Sequence, residues 1–173
     1  NGLARKRVQP PANKPQSAPP KDDKIPRQKV AEYSRAVVKQ CKNASTHQYL
    51  KVKGLDNTNL PFLVSKKEHE LTHILNGKPY EQKIFAKSLI IPIYDLNDIN
   101  SIIGLQFISP FINYQEGSKW YGKHPKSYVK NTPLKDGVHI IKGDEDESER
   151  IAIVEGFATG LSVFLATRYT TVV

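Results

Sequence analysis

The stretch that most constrains this chain is residues 151–167, IAIVEGFATGLSVFLAT, where an apolar run stops at one acid, turns on a glycine and resumes at helical spacing. Ile151, Ala152, Ile153 and Val154 read as a strand buried on both faces of a parallel sheet. Leu161, Phe164 and Leu165 recur as the apolar side of a helix, with Thr159 and Ser162 on a more polar side. Thr170, Thr171, Val172 and Val173 then open another strand. The expectation is βαβ, with a strand at 150–155, a helix at 158–167 and a strand at 170–173. Glu155 falls at the carboxyl end of the first strand, where open α/β sheets bind their ligands. Backbone N–H groups at the start of the helix, around Gly156, Ala158, Thr159 and Gly160, are candidates to hold a phosphate. The plainer reading is that Glu155 caps its helix and pairs with a lysine.

A chain of 173 residues can bury a core, and one domain with appendages is expected. The sequence holds no methionine and ends on two valines in a strand pattern, so it is expected to be a piece of a longer protein. Cys41 is the single cysteine, which excludes an internal disulfide and a multi-cysteine zinc ribbon and fits a reducing cytosol. No run reaches the roughly eighteen apolar residues of a membrane span, and no signal-peptide core opens the chain. A soluble, cytoplasmic protein without membrane partners is expected. The net charge of +9 is uneven. Residues 1–29 carry eight Lys and Arg against two Asp, with six of the twelve prolines, and read as a disordered basic linker. Arg5, Lys6 and Arg7 either meet nucleic-acid phosphates or merely solubilise.

The remaining chain reads as α+β. Val30, Tyr33, Val37, Val38 and Cys41 share one face of an amphipathic helix extending to about residue 42, ended by Asn43-Ala44-Ser45-Thr46. His47-Gln48-Tyr49-Leu50 and Lys53-Gly54-Leu55 form a compact capped element. Residues 60–75 are ambiguous between strand and helix, and Asn76-Gly77-Lys78-Pro79 is a turn. Residues 88–94 and 102–108 read as strands joined through a hairpin at Asp95-Leu96-Asn97-Asp98. Shorter strands are expected at 119–121 and 138–141, and an acidic solvated loop at 144–149. This divides the chain into the linker, a helical or mixed subdomain at 30–87, and a β-rich segment from 88 to 173.

Several of these landmarks, taken in order, resemble the Toprim-containing DNA primases of phages, plasmids and other mobile genetic elements. The resemblance runs from about residue 29 to 173. It rests on His47-Gln-Tyr-Leu with Lys53-Gly-Leu, on Leu89-Ile-Ile-Pro-Ile-Tyr-Asp95, on Leu105-Gln-Phe-Ile108, on Gly117-Ser-Lys-Trp-Tyr-Gly122, and most closely on Glu155-Gly-Phe-Ala-Thr-Gly-Leu-Ser162. No one of these is specific. The resemblance implies a magnesium-dependent nucleotidyltransferase that makes short RNA primers on single-stranded DNA from nucleoside triphosphates, with a replicative helicase as a possible partner. It makes Glu155 the catalytic acid and a magnesium ligand, and it implies that an Asp-x-Asp pair lies beyond Val173, leaving the site in this chain partial. One carboxylate alone binds magnesium weakly.

Lys119, Trp120, Tyr121, Lys123 and Lys126 interleave aromatic and cationic side chains, as surfaces that stack bases and meet phosphates do. The alternative is a core tryptophan at the end of a solvated hairpin. A non-catalytic module binding single-stranded DNA or a replisome partner remains open beside the primase reading. The remaining competitor is His69-Glu70-Leu71-Thr72-His73, which matches the His-Glu-x-x-His pattern of zinc hydrolases. That chemistry needs both histidines on one face of a helix and a third ligand. The turn at 76–79 stops any helix one turn past His73, nothing singles out a third ligand, and no zinc is expected in this chain.

Overall fold

A computed structural model describes residues 26–56, 58, 60–75, 78–119, 121–144 and 149–173. In chain order the elements are α1 (Arg27–Lys39), β1 (Cys41–Ala44), α2 (Gln48–Val52), β2 (Phe62–Ser65), β3 (His69–Leu75), β4 (Lys78–Ile84), β5 (Leu89–Asp95) and β6 (Asp98–Ile108). They continue with β7 (Lys126–Tyr128), a 3-10 turn (Leu134–Asp136), β8 (Gly137–Val138), β9 (Ile140–Ile141), β10 (Ile151–Ile153), α3 (Phe157–Thr167) and β11 (Thr170–Val172). The fold is α+β. An N-terminal helix accompanies antiparallel strands and a small mixed sheet.

The central sheet runs β1-β2-β5-β6-β7, with β8 also paired to β5. Its strands β5 and β6 form the expected hairpin, in which Asp95 pairs with Asp98 across Leu96 and Asn97. The Asp95 carboxylate accepts the Asn97 N–H at 2.8 Å, closing the turn locally. Alternation along β5 builds two cores. Leu89 and Ile91 pack with Leu50, Leu55, Phe62, Ile108, Leu161 and Phe164. Ile90 packs instead with Val30 and Val37 of α1, Ile84, Leu105, Phe107 and Val129. Each fully buried valine or leucine contributes about 1.5–3 kcal/mol, so α1 is fixed to the sheet chiefly by Val30 and Val37. Because β1 and β2 join β5 and β6, the sheet draws strands from both sides of residue 88.

Pro92 sits inside β5 without cost, for a topological reason. On that side of β5, β2 pairs only at Leu89 and Ile90 and β8 only at Tyr94 and Asp95, so no partner requires the missing N–H. The Pro92 carbonyl, open in the same gap, accepts a hydrogen bond from Nδ1 of His139 at 2.9 Å. His139 stands between β8 in the central sheet and β9 in the three-stranded sheet. The strand expected over 138–141 is therefore split between two sheets.

Two further expectations are revised, and the reading left open at 60–75 is decided. Cys41 belongs to β1 rather than to the first helix, which closes at Gln40; the sheet partner Ser65 takes the residue that the helical spacing also accommodates. Residues 69–75 are a strand, β3, paired over its length with β4. No strand forms at 119–121 among the described residues, where Tyr121 and Lys123 make only isolated bridges to Asn113. The basic tail at 1–25, the Asn76-Gly77 turn, Trp120 and most of the acidic loop, 145–148, lie outside the described residues. Among the described residues no helix is long and apolar enough to cross a membrane.

Candidate functional site

β10, α3 and β11 form the expected βαβ unit. Ile151, Ala152 and Ile153 pair in parallel with Thr170, Thr171 and Val172, and β9 closes the other side of β11 in antiparallel fashion. One expectation about this unit fails. β10 is not buried on both faces: Ile151 is 63% and Ile153 83% exposed. It is the edge strand of its sheet, and α3 covers one face only, so apolar character alone did not report coverage.

α3 starts at Gly156, which has an extended backbone and leaves open space where a Cβ would stand. The N–H groups of Phe157, Ala158 and Thr159 precede the first intrahelical donor, the Gly160 N–H, and have no partner among the described residues. Gly160 plays a different part from the phosphate contact expected of it. Its N–H donates to the Gly156 carbonyl at 2.8 Å, and it is buried where an added Cβ would lie 2.6 Å from Cγ2 of Val173. It lets the helix approach the strands.

A cleft of about 400 Å³ opens at this end of α3, lined by Gly156, Phe157, Ala158, Thr159 and Ser162 with Tyr49, Lys53, Leu55 and Lys126 from other elements. Its charged lining is cationic: two lysines and no carboxylate. Lys126, on β7, donates from Nζ to the Tyr49 hydroxyl at 2.9 Å and lies 4.7 Å from the centre of that ring. Lys53 caps the C-terminal end of α2 and is exposed. Of the expected nucleic-acid residues among the described ones, Lys126 alone lines this cleft. Lys119, Tyr121 and Lys123 lie on the exposed loop before β7.

Glu155 stands next to the cleft, exposed, one residue before Gly156 and outside the lining. It neither caps α3 nor forms an ion pair among the described residues, so the plainer reading of it is not realised. Among the described residues no three His, Cys, Asp or Glu side chains gather into a metal-binding group. Glu155 offers one oxygen donor site. Magnesium is commonly held through one or two carboxylates, with water and phosphate completing its shell, so the residue fits such an ion as a single ligand.

No protein-family model matches the chain, and no curated protein or solved structure matches it either. The geometry around α2 accounts for residues that the sequence reading valued for resemblance. His47 is the N-cap of α2: its Nδ1 accepts the Tyr49 N–H at 3.1 Å, so the proton is on Nε2, which donates to the Lys87 carbonyl at 3.0 Å. Burial pushes its pKa down, the Lys87 bond opposes this, and His124 adds a smaller lowering effect. At the other end Gly54 adopts φ +68, with its N–H on Lys51 O and the Leu55 N–H on Leu50 O, a Schellman closure. Tyr49 and Leu50 are thereby buried and Lys53 is brought to the cleft. Tyr49 and Lys53 were not picked as site residues; their place in a capped element framed by His47 and Gly54 was the available signal.

The His69-x-x-x-His73 spacing falls on β3, where four residues span roughly 13 Å of strand instead of one helical turn. The zinc-hydrolase geometry therefore has no helix to stand on. His69 is buried, with Nε2 unpartnered among the described residues, and burial lowers its pKa, helped by Lys67. A second cavity, about 270 Å³, lies between β5, β9 and α3 and is mainly apolar, lined by Phe62, Leu89, Pro92, Ile141 and Phe164. The imidazole there, His139, already serves the Pro92 carbonyl.

Proposed function

We propose that this chain is part of a Toprim-type DNA primase, and that the cleft at α3 holds phosphates of a nucleotide or a nucleic-acid strand. One observation carries the reading: the three residues with unpartnered N–H groups at the start of α3 line a cleft together with Lys53 and Lys126 and no acid, and Glu155 stands next to it. Backbone N–H groups aimed outward from a helix start, with two ammonium groups nearby, favour a polyanion. Lys126 is steadied by Tyr49, which limits the rotamer entropy lost when it meets a phosphate.

Primer synthesis joins a 3′-hydroxyl to an α-phosphate and expels pyrophosphate. In this reading Lys53, Lys126 and the helix start orient the triphosphate, and Glu155 orients or deprotonates the attacking hydroxyl. Magnesium, when bound with Glu155 among its ligands, neutralises charge developing on the phosphates. The test is primer synthesis on single-stranded DNA by the longest polypeptide containing this chain, compared with its Glu155→Gln form. A drop of at least about a hundredfold is expected for a general base. Near-normal synthesis overturns the role of Glu155. A non-catalytic reading, in which the same cleft binds single-stranded DNA without chemistry, is favoured by a charged lining that is wholly cationic; binding that ignores Glu155 while no polypeptide containing the chain makes primers would select it.

A further inference from the structure

Two pairs of exposed aromatic rings sit on the loop at 109–124 and on the turn before β5, and none of them lines the α3 cleft. Phe85 and Phe111 meet edge to face at 6.1 Å, and Tyr114 and Tyr121 at 6.2 Å. Phe111 is 63% and Tyr114 68% exposed. Exposed aromatic groups concentrated on one loop and the turn beside it mark an interaction surface more often than isolated apolar residues do.

The backbone beneath them is held firmly. Asn113 donates its N–H to Lys123 O at 3.0 Å and accepts from Gly122 at 2.7 Å, while its side chain accepts the Gln115 N–H and donates to Ser118 Oγ. His124, buried under the loop, donates from Nδ1 to Ser109 O at 2.8 Å. The turn that carries Phe85 is locked as well. Lys87 takes a left-handed backbone, donates its N–H to Ser65 O at 2.8 Å and accepts from His47 Nε2. His47 and His124 lie 6.4 Å apart and His124 packs edge-on against Tyr49, so both ring-bearing segments rest on a base shared with the α3 cleft.

Charge decides which partner fits. Lys66 and Lys67 follow Ser65 directly, beside the Lys87 turn, and Lys123 lies in the loop; all four are exposed, and none has a carboxylate within ion-pair distance among the described residues. The loop holds a single acid, Glu116. We infer that Phe85, Phe111, Tyr114 and Tyr121 form a stacking platform for unpaired bases of a single-stranded nucleic acid whose phosphates meet Lys66, Lys67, Lys87 and Lys123. The inference rests on the nucleic-acid reading of the chain and gives it a second surface beyond the α3 cleft. Rings present a π-face to any base, and lysines supply sequence-independent attraction to the backbone.

The experiment is anisotropy of dye-labelled oligothymidylate and oligouridylate titrated with the whole chain, without nucleoside triphosphate or magnesium. Single strands bind at low salt and a blunt duplex binds more weakly. Phe111→Ala and Phe111→Leu each weaken binding about tenfold, whereas Phe111→Trp retains it, because a base stacks on a π-face and not on an aliphatic chain. Lys87→Ala and Lys123→Ala flatten the dependence on salt. Binding of either sugar supports the platform. Far-UV circular dichroism confirms that each variant is folded, as the exposure of Phe111 predicts. Wild-type affinity in Phe111→Leu overturns the proposal, as does wild-type protein that binds no single strand. So does a dimer dispersed by Phe111→Leu, which would assign the rings to a second copy of the chain. This titration does not read Glu155, so its failure leaves the primer-synthesis comparison standing, and the reverse also holds.

Discussion

At the scale of single residues, two glycines four apart on one element have opposite jobs. Gly156 faces open space, while a Cβ at Gly160 would sit 2.6 Å from Val173 Cγ2 and 3.1 Å from Val154 Cγ2. Alanine at position 160 gains up to about 1 kcal/mol of helix propensity. Against that stands overpacking, which costs about 1–3 kcal/mol when side chains on neighbouring strands must shift. The contact is tighter than van der Waals separation and both opposing atoms are branched methyls next to backbone, so the overpacking wins. Gly160→Ala is expected to lower stability by about 1 kcal/mol, seen as a lower urea midpoint at unchanged slope. A midpoint at or above the wild-type value would mean that the strands yield freely. The sequence marked both glycines as candidates to approach phosphate, because composition cannot report which side of a helix meets a strand.

At the scale of elements, α2 has only five residues, too few to persist as an isolated helix. It depends on its ends. Gly54→Ala forces a Cβ into a left-handed conformation, which costs about 1–2 kcal/mol even though nothing crowds the site. Gly54→Asn costs less, since asparagine tolerates that region. The predicted order of thermal midpoints is wild type, Gly54→Asn, Gly54→Ala, and the two variants should lose nucleotide affinity at the α3 cleft in the same order if Lys53 is positioned by this closure. Equal midpoints for all three would remove the cap from the account. This element was legible because caps are local chemistry. The Asp95–Asp98 hairpin was legible for the same reason. β3 was not, because its strand character comes from a partner about ten residues further along, and seven residues of mixed polarity carry no decisive period. β10 was recognised as a strand, yet its exposure depends on how many elements cover the sheet, which an apolar run does not encode.

At the scale of the whole molecule, His47, His139 and two half-buried groups shape the pH range of stability. Burial pushes His47 and His139 below the ordinary value of 6.5. A histidine with a lowered folded pKa binds fewer protons in the folded state than in the unfolded chain as pH falls below about 6.5, so stability is complete above that value and declines beneath it. Structure gives the same sign: protonating Nδ1 of His47 removes the acceptor of the Tyr49 N–H, and charging His139 buries a cation at the junction of two sheets. At the alkaline side, burial raises Tyr33 to about 12 and Cys41 to about 11, the latter opposed slightly by Lys66. Both groups are neutral in the fold and ionise earlier in the unfolded chain, so stability declines as pH rises past the ordinary values of 9.0 for cysteine and 10.0 for tyrosine. Urea unfolding across pH should therefore give a plateau between about 6.5 and 9 with a fall on each side. His139→Asn is expected to flatten the acid limb while lowering the plateau, because the Pro92 carbonyl then depends on a shorter donor. Cys41→Ser should shift the alkaline fall upward in pH, since serine does not ionise there. An acid limb that stays as steep in His139→Asn as in the wild type would remove His139 from the cause and leave the limb to His47 and His69, whose pKa values burial also lowers.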